Sequence, residues 1–206
     1  GKTMSDAGHT EVLPSILGID WYAKKAKKHL RNRKINPSNV LFANKPSYIQ
    51  RLPYGVVGII SPWNYPFAIP FGEIIMGLMA GNAVVYRPAE ETPLVADEIR
   101  KIIEAGNLPE GLCELTMGRG PEISGAWFAN NIDKLFFTGS VRVGKLLMKQ
   151  AADTLTPLSL ELGGNDAMIV LEDANLERAV NGALWAGFQN SGQSCAGVER
   201  VYVHES

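Results

Sequence analysis

The chain has 206 residues, of which 46% are hydrophobic and 20% charged, so it can enclose a hydrophobic core and is neither disordered nor fibrous. Twenty Lys and Arg residues against 21 Asp and Glu residues give a net charge of −1, which excludes a general electrostatic attraction to nucleic acid or to an acidic membrane. The two cysteines, Cys113 and Cys195, lack the paired spacing of a zinc site, so we expect no metal and a reducing, cytoplasmic location.

The first predicted element is a long amphipathic helix over residues 11–33. Apolar residues recur there at helical spacing, and charged residues take the opposite face. The following segment, from Asn32 to Tyr48, is rich in Asn, Pro and Ser, so we interpret it as a connection. We expect a domain boundary near residue 50.

From Tyr54 onward, short β-branched runs alternate with helical stretches. Strands are predicted at residues 56–60, 83–86, 134–138, 167–171 and 200–204. Helices are predicted at residues 70–80, 92–106, 121–129, 141–152 and 175–188. This alternation is typical of an α/β fold in which helices cover a doubly wound parallel sheet. The apolar stretch over residues 65–81 is too short for a membrane span, so we interpret it as a buried helix.

Residues 157–164 alternate strictly between leucines and other residues, which predicts a further strand. Glu161 should therefore point away from the leucines. An exposed glutamate on a strand is most often simply solvated. The pair Gly163 and Gly164 directly after it favours a ligand or another backbone that comes close to the strand end.

Cys195 lies in a run of small residues, so its thiol is expected to be accessible, whereas the apolar neighbours of Cys113 predict a buried side chain. The sequence lacks a Gly-x-Ser-x-Gly elbow, and its three histidines show no spacing typical of a hydrolase triad. A hydrolase is therefore disfavoured.

Two turns follow predicted strands. Asn64 stands between Pro62 and Pro66, which would fix the direction of its amide, although Asn in a turn is often only a turn former. Residues 139–145 resemble a P-loop at a helix start that could hold a phosphate. Because Leu146 stands where that motif needs a hydroxyl for Mg²⁺, a tight turn without a ligand is the simpler interpretation.

Five blocks in this order resemble the aldehyde dehydrogenase superfamily. They are Pro62-Trp63-Asn64, Gly81-Asn82 with residues 87–90, residues 137–140, residues 160–164, and Gly192-Gln193-x-Cys195. The resemblance implies an N-terminal helix and connection at residues 1–50, a Rossmann-like dinucleotide-binding domain at residues 51–164, and the start of a catalytic domain at residues 165–206. Members of the family are much longer, so we expect a partial copy of such a protein.

The resemblance also implies the catalytic roles. Cys195 would attack the aldehyde, and the oxyanion would be held by the Asn64 amide and the backbone N–H of Cys195. Glu161 would be the general base for the hydrolytic water. The cofactor contacts implied are Ser61, Pro62, Trp63, Arg87, Ala89, Glu90, Gly120, Gly139, Ser140, Val143, Leu162 and Gly163.

By the same resemblance, Glu90 would bind the adenosine ribose hydroxyls and repel a 2′-phosphate, which favours NAD. Arg87 replaces the usual lysine and is a good phosphate ligand, which leaves NADP open. We have no account of Asn165, which also replaces a usual lysine.

The expected function is oxidation of an aldehyde to a carboxylate with NAD. The alternative is a catalytically silent NAD-binding or structural fragment of the same fold, which would bind NAD without turnover. A coenzyme A-dependent relative is disfavoured because it would not need Glu161. We expect a small-molecule aldehyde as substrate, no nucleic acid or membrane partner, and a homo-oligomer if the chain is complete.

Overall fold

The computed structural model describes residues 2–36, 39–42 and 44–205. Its first elements are helix α1 (Met4–Ala7), a π-helical turn (Gly8–Val12) and helix α2 (Leu13–Leu30), which follow one another without a break. The helix predicted over residues 11–33 is therefore present, but it begins earlier and ends earlier than expected.

The predicted end of that helix was wrong, because Arg33 opens a strand. Strand β1 (Arg33–Ile35) pairs antiparallel with strand β2 (Ser47–Ile49), so that Arg33 lies opposite Ile49. The predicted connection thus contains a two-stranded ribbon and a short 3-10 turn (Val40–Phe42), while residues 37, 38 and 43 of it lie outside the described residues. Pairing with a partner strand overrides the local preference for helix.

A parallel sheet of five strands forms the centre of the fold. Its strands are β3 (Val56–Ile60), β4 (Ala83–Arg87), β5 (Cys113–Leu115), β6 (Lys134–Gly139) and β7 (Leu158–Leu162), in the order β5-β4-β3-β6-β7. The helices between them are α3 (Ala68–Met79), α4 (Pro93–Ala105), α5 (Gly120–Ala129) and α6 (Val141–Ala152). The strands and helices predicted over this range are confirmed to within two residues at each end.

Helices pack on both faces of the sheet. On one face, α3 and α4 bury Ile74 and Ile99 against Ile59 of β3. On the other face, α5 and α6 bury Trp127 and Leu147 in a second cluster, against which the leucines of β7 pack. The doubly wound α/β fold is therefore confirmed. Within the described residues, no helix is both long and apolar enough to span a membrane.

The last part of the chain forms a separate β-α-β unit. Strand β8 (Asp166–Val170), helix α7 (Leu176–Phe188) and strand β9 (Val198–Val203) give a parallel pair, and a 3-10 turn (Gln189–Gly192) follows the helix. The change from one sheet to the other occurs between Leu162 and Asp166. This is the place where we predict a domain boundary, and the division into domains stays a prediction.

Candidate active site

The strand order reverses at the boundary between β3 and β6. From β3 the chain first builds outward through β4 and β5, then returns to add β6 and β7 on the other side. Ligands of doubly wound sheets bind in the crevice that forms outside the carboxyl ends of strands at such a point. Ser61 directly follows β3 here, and Gly139 ends β6.

The residues predicted to contact a cofactor lie along this carboxyl edge. Ser61, Pro62 and Trp63 follow β3; Arg87 ends β4, with Ala89 and Glu90 after it; Gly120 opens α5; Gly139 ends β6, with Ser140 and Val143 after it; and Leu162 ends β7, with Gly163 after it. The ends of four strands and the four turns that lead into helices α3, α4, α5 and α6 thus bring these residues to the carboxyl edge of the sheet.

Arg87 is held in a specific position at the end of β4. Its side chain is only 11% exposed. The guanidinium forms an ion pair with Glu90 and donates two hydrogen bonds to the carbonyl oxygen of Gly118, at 3.3 Å from Nε and 3.2 Å from Nη2. The side chain of Glu90 is 64% exposed, so a ligand can reach it from solvent.

A helix cap and a close packing contact shape the turn that leads into α6. Ser140 Oγ accepts a hydrogen bond from the backbone N–H of Val143 at 3.3 Å, so it caps its own helix. A Cβ on Gly139 would lie 2.6 Å from the ring of Phe137. Glycine is therefore required here by the neighbouring ring, whether or not a ligand approaches.

Asn64 and the loop before Cys195 are joined by hydrogen bonds. The side chain of Asn64 donates from Nδ2 to the carbonyl oxygen of Gln193 at 2.9 Å, and its Oδ1 accepts from the N–H of Tyr65 at 3.1 Å. Asn190 donates from Nδ2 to the carbonyl oxygens of Asn64, at 3.1 Å, and of Gln193, at 3.3 Å. Cys195 itself is exposed, as predicted.

The loop owes its shape to three successive left-handed residues. Asn190, Ser191 and Gly192 have φ values of 52°, 59° and 73°, a conformation that side chains other than Asn, Asp and Gly rarely adopt. The buried Asn190 contributes both this turn and the two hydrogen bonds to its surroundings. Sequence reasoning missed its role, although an Asn before Ser-Gly is a signal for a turn.

Glu161 reaches the same region from β7. It lies opposite Thr138 in the sheet and is exposed, while Leu162 packs in the core on the other face, so the predicted alternation is confirmed. A Cβ on Gly164 would lie 3.6 Å from the carbonyl oxygen of Cys195. The chain at Gly164, three residues after Glu161, therefore passes directly beside the loop that carries Cys195.

The second cysteine behaves differently. Cys113 packs at the edge of the cluster between the sheet and helices α3 and α4. Burial raises the pKa of its thiol to about 11, so it stays protonated and unreactive at neutral pH. Cys113 was predicted to be buried, and the structure shows it partly buried, so the prediction is confirmed only in part.

Glu73 is a titratable group within the apolar stretch over residues 65–81, and its properties were not predicted from the sequence. It projects from α3, and among the described residues its buried Oε2 atom has no hydrogen-bond partner. Burial, followed by repulsion from the nearby Glu161, raises its pKa to about 8. Glu73 is therefore mostly protonated at neutral pH. A charged residue within an apolar helix pattern marks this position in the sequence, but it does not reveal the protonation state.

The raised pKa of Glu73 predicts a pH-dependent stability. The folded pKa of about 8 exceeds the ordinary value of 4.5, so the folded state holds the proton more tightly. The stabilisation is complete below about pH 4.5 and is lost as the pH rises through 8. For this one group the free energy of unfolding should fall by up to about 1.4 kcal/mol per pH unit in that window.

Urea unfolding at pH 5, 6, 7 and 8 tests this expectation. Glu73→Gln, which cannot ionise, should lose this pH dependence and be more stable than the unchanged protein at pH 8. Glu172→Gln, at an exposed carboxylate, is the control and should keep the original dependence. Parallel pH curves for Glu73→Gln and the unchanged protein would show that Glu73 does not titrate in this range.

Comparison with known proteins finds relatives that align with the whole length of this chain. A model of the aldehyde dehydrogenase family matches residues 1–206. Succinate-semialdehyde dehydrogenase (NADP(+)) 1 of Schizosaccharomyces pombe is 41% identical over 210 aligned residues, which cover 100% of this chain and 41% of that protein. The 4,4'-diapolycopene aldehyde oxidase of Methylomonas sp is 40% identical over 207 residues, covering 100% of this chain and 39% of the relative.

The fold comparison agrees with the sequence comparison. The structure of the NAD+ complex of aldehyde dehydrogenase from Bacillus cereus matches with a TM-score of 0.91 at 35% identity, covering 100% of this chain and 41% of that one. The chain thus spans about two fifths of the length of these relatives. Because the family model matches the chain from its first residue to its last, the chain belongs to the aldehyde dehydrogenase family.

Proposed function

We propose that the protein containing this chain oxidises an aldehyde to a carboxylate, using NAD and a covalent intermediate on Cys195. The observation that carries the proposal is the hydrogen bond from the Asn64 amide to Gln193, two residues before the exposed Cys195. This contact joins a candidate nucleophile to a candidate oxyanion donor that lies 129 residues away in sequence.

In the first step, the Cys195 thiolate attacks the aldehyde carbonyl carbon, and the carbonyl oxygen becomes an oxyanion. The side-chain amide of Asn64 has two N–H donors, of which one is used on Gln193. The other is available to the oxyanion, together with the backbone N–H of Cys195. A donor of this kind typically contributes about 10²- to 10³-fold in rate.

Loss of a hydride from the substrate carbon leaves the acyl group bound to Cys195 as a thioester. In the last step, water attacks the thioester carbon, the C–S bond breaks, the carboxylic acid leaves, and Cys195 returns to the thiolate. Glu161 is proposed as the general base that takes a proton from this water. The protonated Glu161 side chain then passes the proton to solvent. Its position on β7, beside the chain segment that passes Cys195, and its exposed side chain both support this role. A general base contributes about 10²- to 10⁴-fold.

The bound cofactor would supply the acceptor for the hydride that leaves the substrate carbon. The carboxyl edge at the reversal of strand order fits a dinucleotide, because helix α6 begins there with open N–H groups. We propose that the cofactor is held by Ser61, Pro62, Trp63, Arg87, Ala89, Glu90, Gly120, Gly139, Ser140, Val143, Leu162 and Gly163.

NAD is proposed as the preferred cofactor. Glu90 is open to solvent and would accept hydrogen bonds from ribose hydroxyls, while its charge would repel a 2′-phosphate. The guanidinium of Arg87, a good phosphate ligand, is already paired with Glu90. Relatives differ here, since the Schizosaccharomyces pombe protein carries NADP(+) in its name and the Bacillus cereus structure holds NAD+.

Replacing Glu90 with glutamine should shift the preference toward NADP. The change removes the repulsive charge and releases Arg87 to bind a 2′-phosphate, so the ratio of kcat/KM for NADP over NAD should rise about tenfold, equivalent to about 1.4 kcal/mol. Steady-state kinetics with both cofactors measures the ratio. Glu91→Gln, at the exposed neighbouring residue, should leave it unchanged, and an unchanged ratio in Glu90→Gln would contradict the assignment of Glu90.

We also propose a cellular location and an oligomeric state for the protein. A cytoplasmic location is proposed because both cysteines are free thiols, which is typical of a reducing compartment. A homo-oligomer is proposed on the family resemblance alone. Analytical ultracentrifugation of the purified protein tests the assembly, and a single monomeric species would contradict it.

The proposal is tested by mixing the purified protein with NAD and a panel of aldehydes and following the absorbance of NADH. We expect NADH together with an equal amount of the carboxylic acid. Tight binding of NAD without NADH would instead identify the chain as a silent cofactor-binding protein. Formation of an acyl thioester only after coenzyme A is added would contradict the role of Glu161.

A further inference from the structure

An ion pair from the N-terminal segment is buried against the turn that carries Asn64. The side chain of Glu11, in the π-helical turn, is 7% exposed, and that of Lys2 is 15% exposed. Lys2 Nζ donates to Glu11 Oε1 and, at 2.9 Å, to the backbone carbonyl oxygen of Asn64. It also lies 4.2 Å from the ring centre of Tyr65. Because Glu11 is buried and Lys2 is largely shielded from water, removing one partner leaves the other without its compensating charge.

The second oxygen of Glu11 caps helix α3 from outside. Glu11 Oε2 accepts hydrogen bonds from the backbone N–H groups of Phe67, at 2.7 Å, and Ala68, at 3.2 Å. The first N–H groups of a helix lack partners within the helix and favour a negative charge. The residue before α3 is Phe67, whose side chain has no acceptor for this purpose, so the carboxylate comes from a residue 56 positions away.

Asn64 therefore lies between two anchors. Its backbone carbonyl oxygen accepts from Lys2 on one side and from Asn190 on the other. Its side-chain amide reaches Gln193 in the loop before Cys195. Movement of the turn between β3 and α3 would displace this amide relative to the thiol, and a displacement of about 1 Å in a catalytic group can cost about 10²-fold in rate.

We infer that Lys2 and Glu11 are positioning residues that hold the Asn64 amide in place against the loop of Cys195. The inference rests on the proposed function, because it assigns the pair to the oxyanion donor of that reaction. Neither residue touches the reacting atoms, so their effect must pass through Asn64.

The variants Lys2→Met and Glu11→Gln test the inference. The single-turnover rate of NADH formation should fall about tenfold in each, because the turn loses or weakens a charged contact, either from Lys2 to Asn64 or from the start of α3 to Glu11. The Kd for NAD should change less than about twofold. The matched control is Asp20→Asn, which removes an ion pair with Lys24 on the exposed face of α2 and should leave the rate unchanged. If Glu11→Gln does not fold, Lys2→Met decides.

A double-mutant cycle separates positioning from a general structural role. In an Asn64→Ala background, Lys2→Met should reduce the rate by less than about twofold further, because its effect requires the amide. A purely structural role would lower the rate by the same factor in both backgrounds. Equal factors would overturn the inference.

A measurement without turnover keeps this test separate from that of the proposed function. The side-chain amide signals of Asn64 in a ¹⁵N NMR spectrum can be assigned by their loss in Asn64→Ala. They should shift in Lys2→Met and stay in place in Asp20→Asn. If the unchanged protein forms no NADH, the proposed function fails while these signals still decide the inference, and signals that do not move in Lys2→Met overturn it.

Discussion

Replacing Cys195 with alanine is expected to abolish the formation of NADH from NAD and an aldehyde. The reaction proposed above passes through a covalent bond to this sulfur, and no other side chain near Asn64 offers a thiol among the described residues. The rate should fall by at least about 10³-fold, because the remaining groups bind and orient the substrate but cannot form the intermediate. Single-turnover absorbance measurements at saturating NAD give the rate.

Cys113→Ala is the matched control for this change. Burial raises the pKa of the Cys113 thiol to about 11, so its replacement should leave the rate within a few-fold of the original. Iodoacetamide should correspondingly label Cys195 first and block activity. Activity that survives in Cys195→Ala would place the nucleophile elsewhere and contradict the proposed mechanism.

Replacing Glu161 with glutamine is expected to stop the reaction at a later step. Glutamine keeps the shape of the side chain but cannot accept the proton of the hydrolytic water, so steady-state turnover should fall about 10²- to 10⁴-fold. The attack by Cys195 and the first formation of NADH do not need this base. We therefore expect a burst of NADH of about one equivalent per site, followed by a very slow phase.

Mass spectrometry identifies the trapped species in this experiment. A Glu161→Gln sample quenched after the burst should carry the acyl mass on the peptide that contains Cys195. Glu114→Gln, at an exposed glutamate of β5, is the control and should turn over normally without accumulating acyl-enzyme. Loss of the burst itself would assign Glu161 to the first step rather than to hydrolysis.

Local patterns in the sequence predicted the architecture well because they report a property of each segment alone. The alternation of leucines over residues 157–164 correctly indicated that Glu161 faces away from the core packed by Leu158 and Leu160. The small residues around Cys195 and the apolar neighbours of Cys113 likewise indicated which thiol is exposed. Alternation of apolar side chains along a strand, and apolar neighbours around a residue, have the same consequence in any fold that buries one face of the strand.

The predicted end of the first helix was wrong because the conformation there depends on a distant segment of the chain. Arg33 continues a helical pattern, yet it pairs with Ile49 in a strand, and the partner lies 16 positions further along the chain. Local propensity is worth a few tenths of a kcal/mol per residue, so a set of backbone hydrogen bonds with a distant segment overrides it.

Local sequence patterns were enough to predict the alternating α/β fold, the strand that carries Glu161 and the exposure of Cys195. The residues that support Asn64 became visible only in the folded chain, since Lys2, Glu11 and Gln193 reach it or its turn from segments far apart in sequence. The protonation of Glu73 likewise depends on the folded structure, because its pKa is set by how deeply the carboxyl group is buried and by the charge of Glu161. Burial and contacts between distant segments arise only when the chain has folded, so no local pattern encodes them.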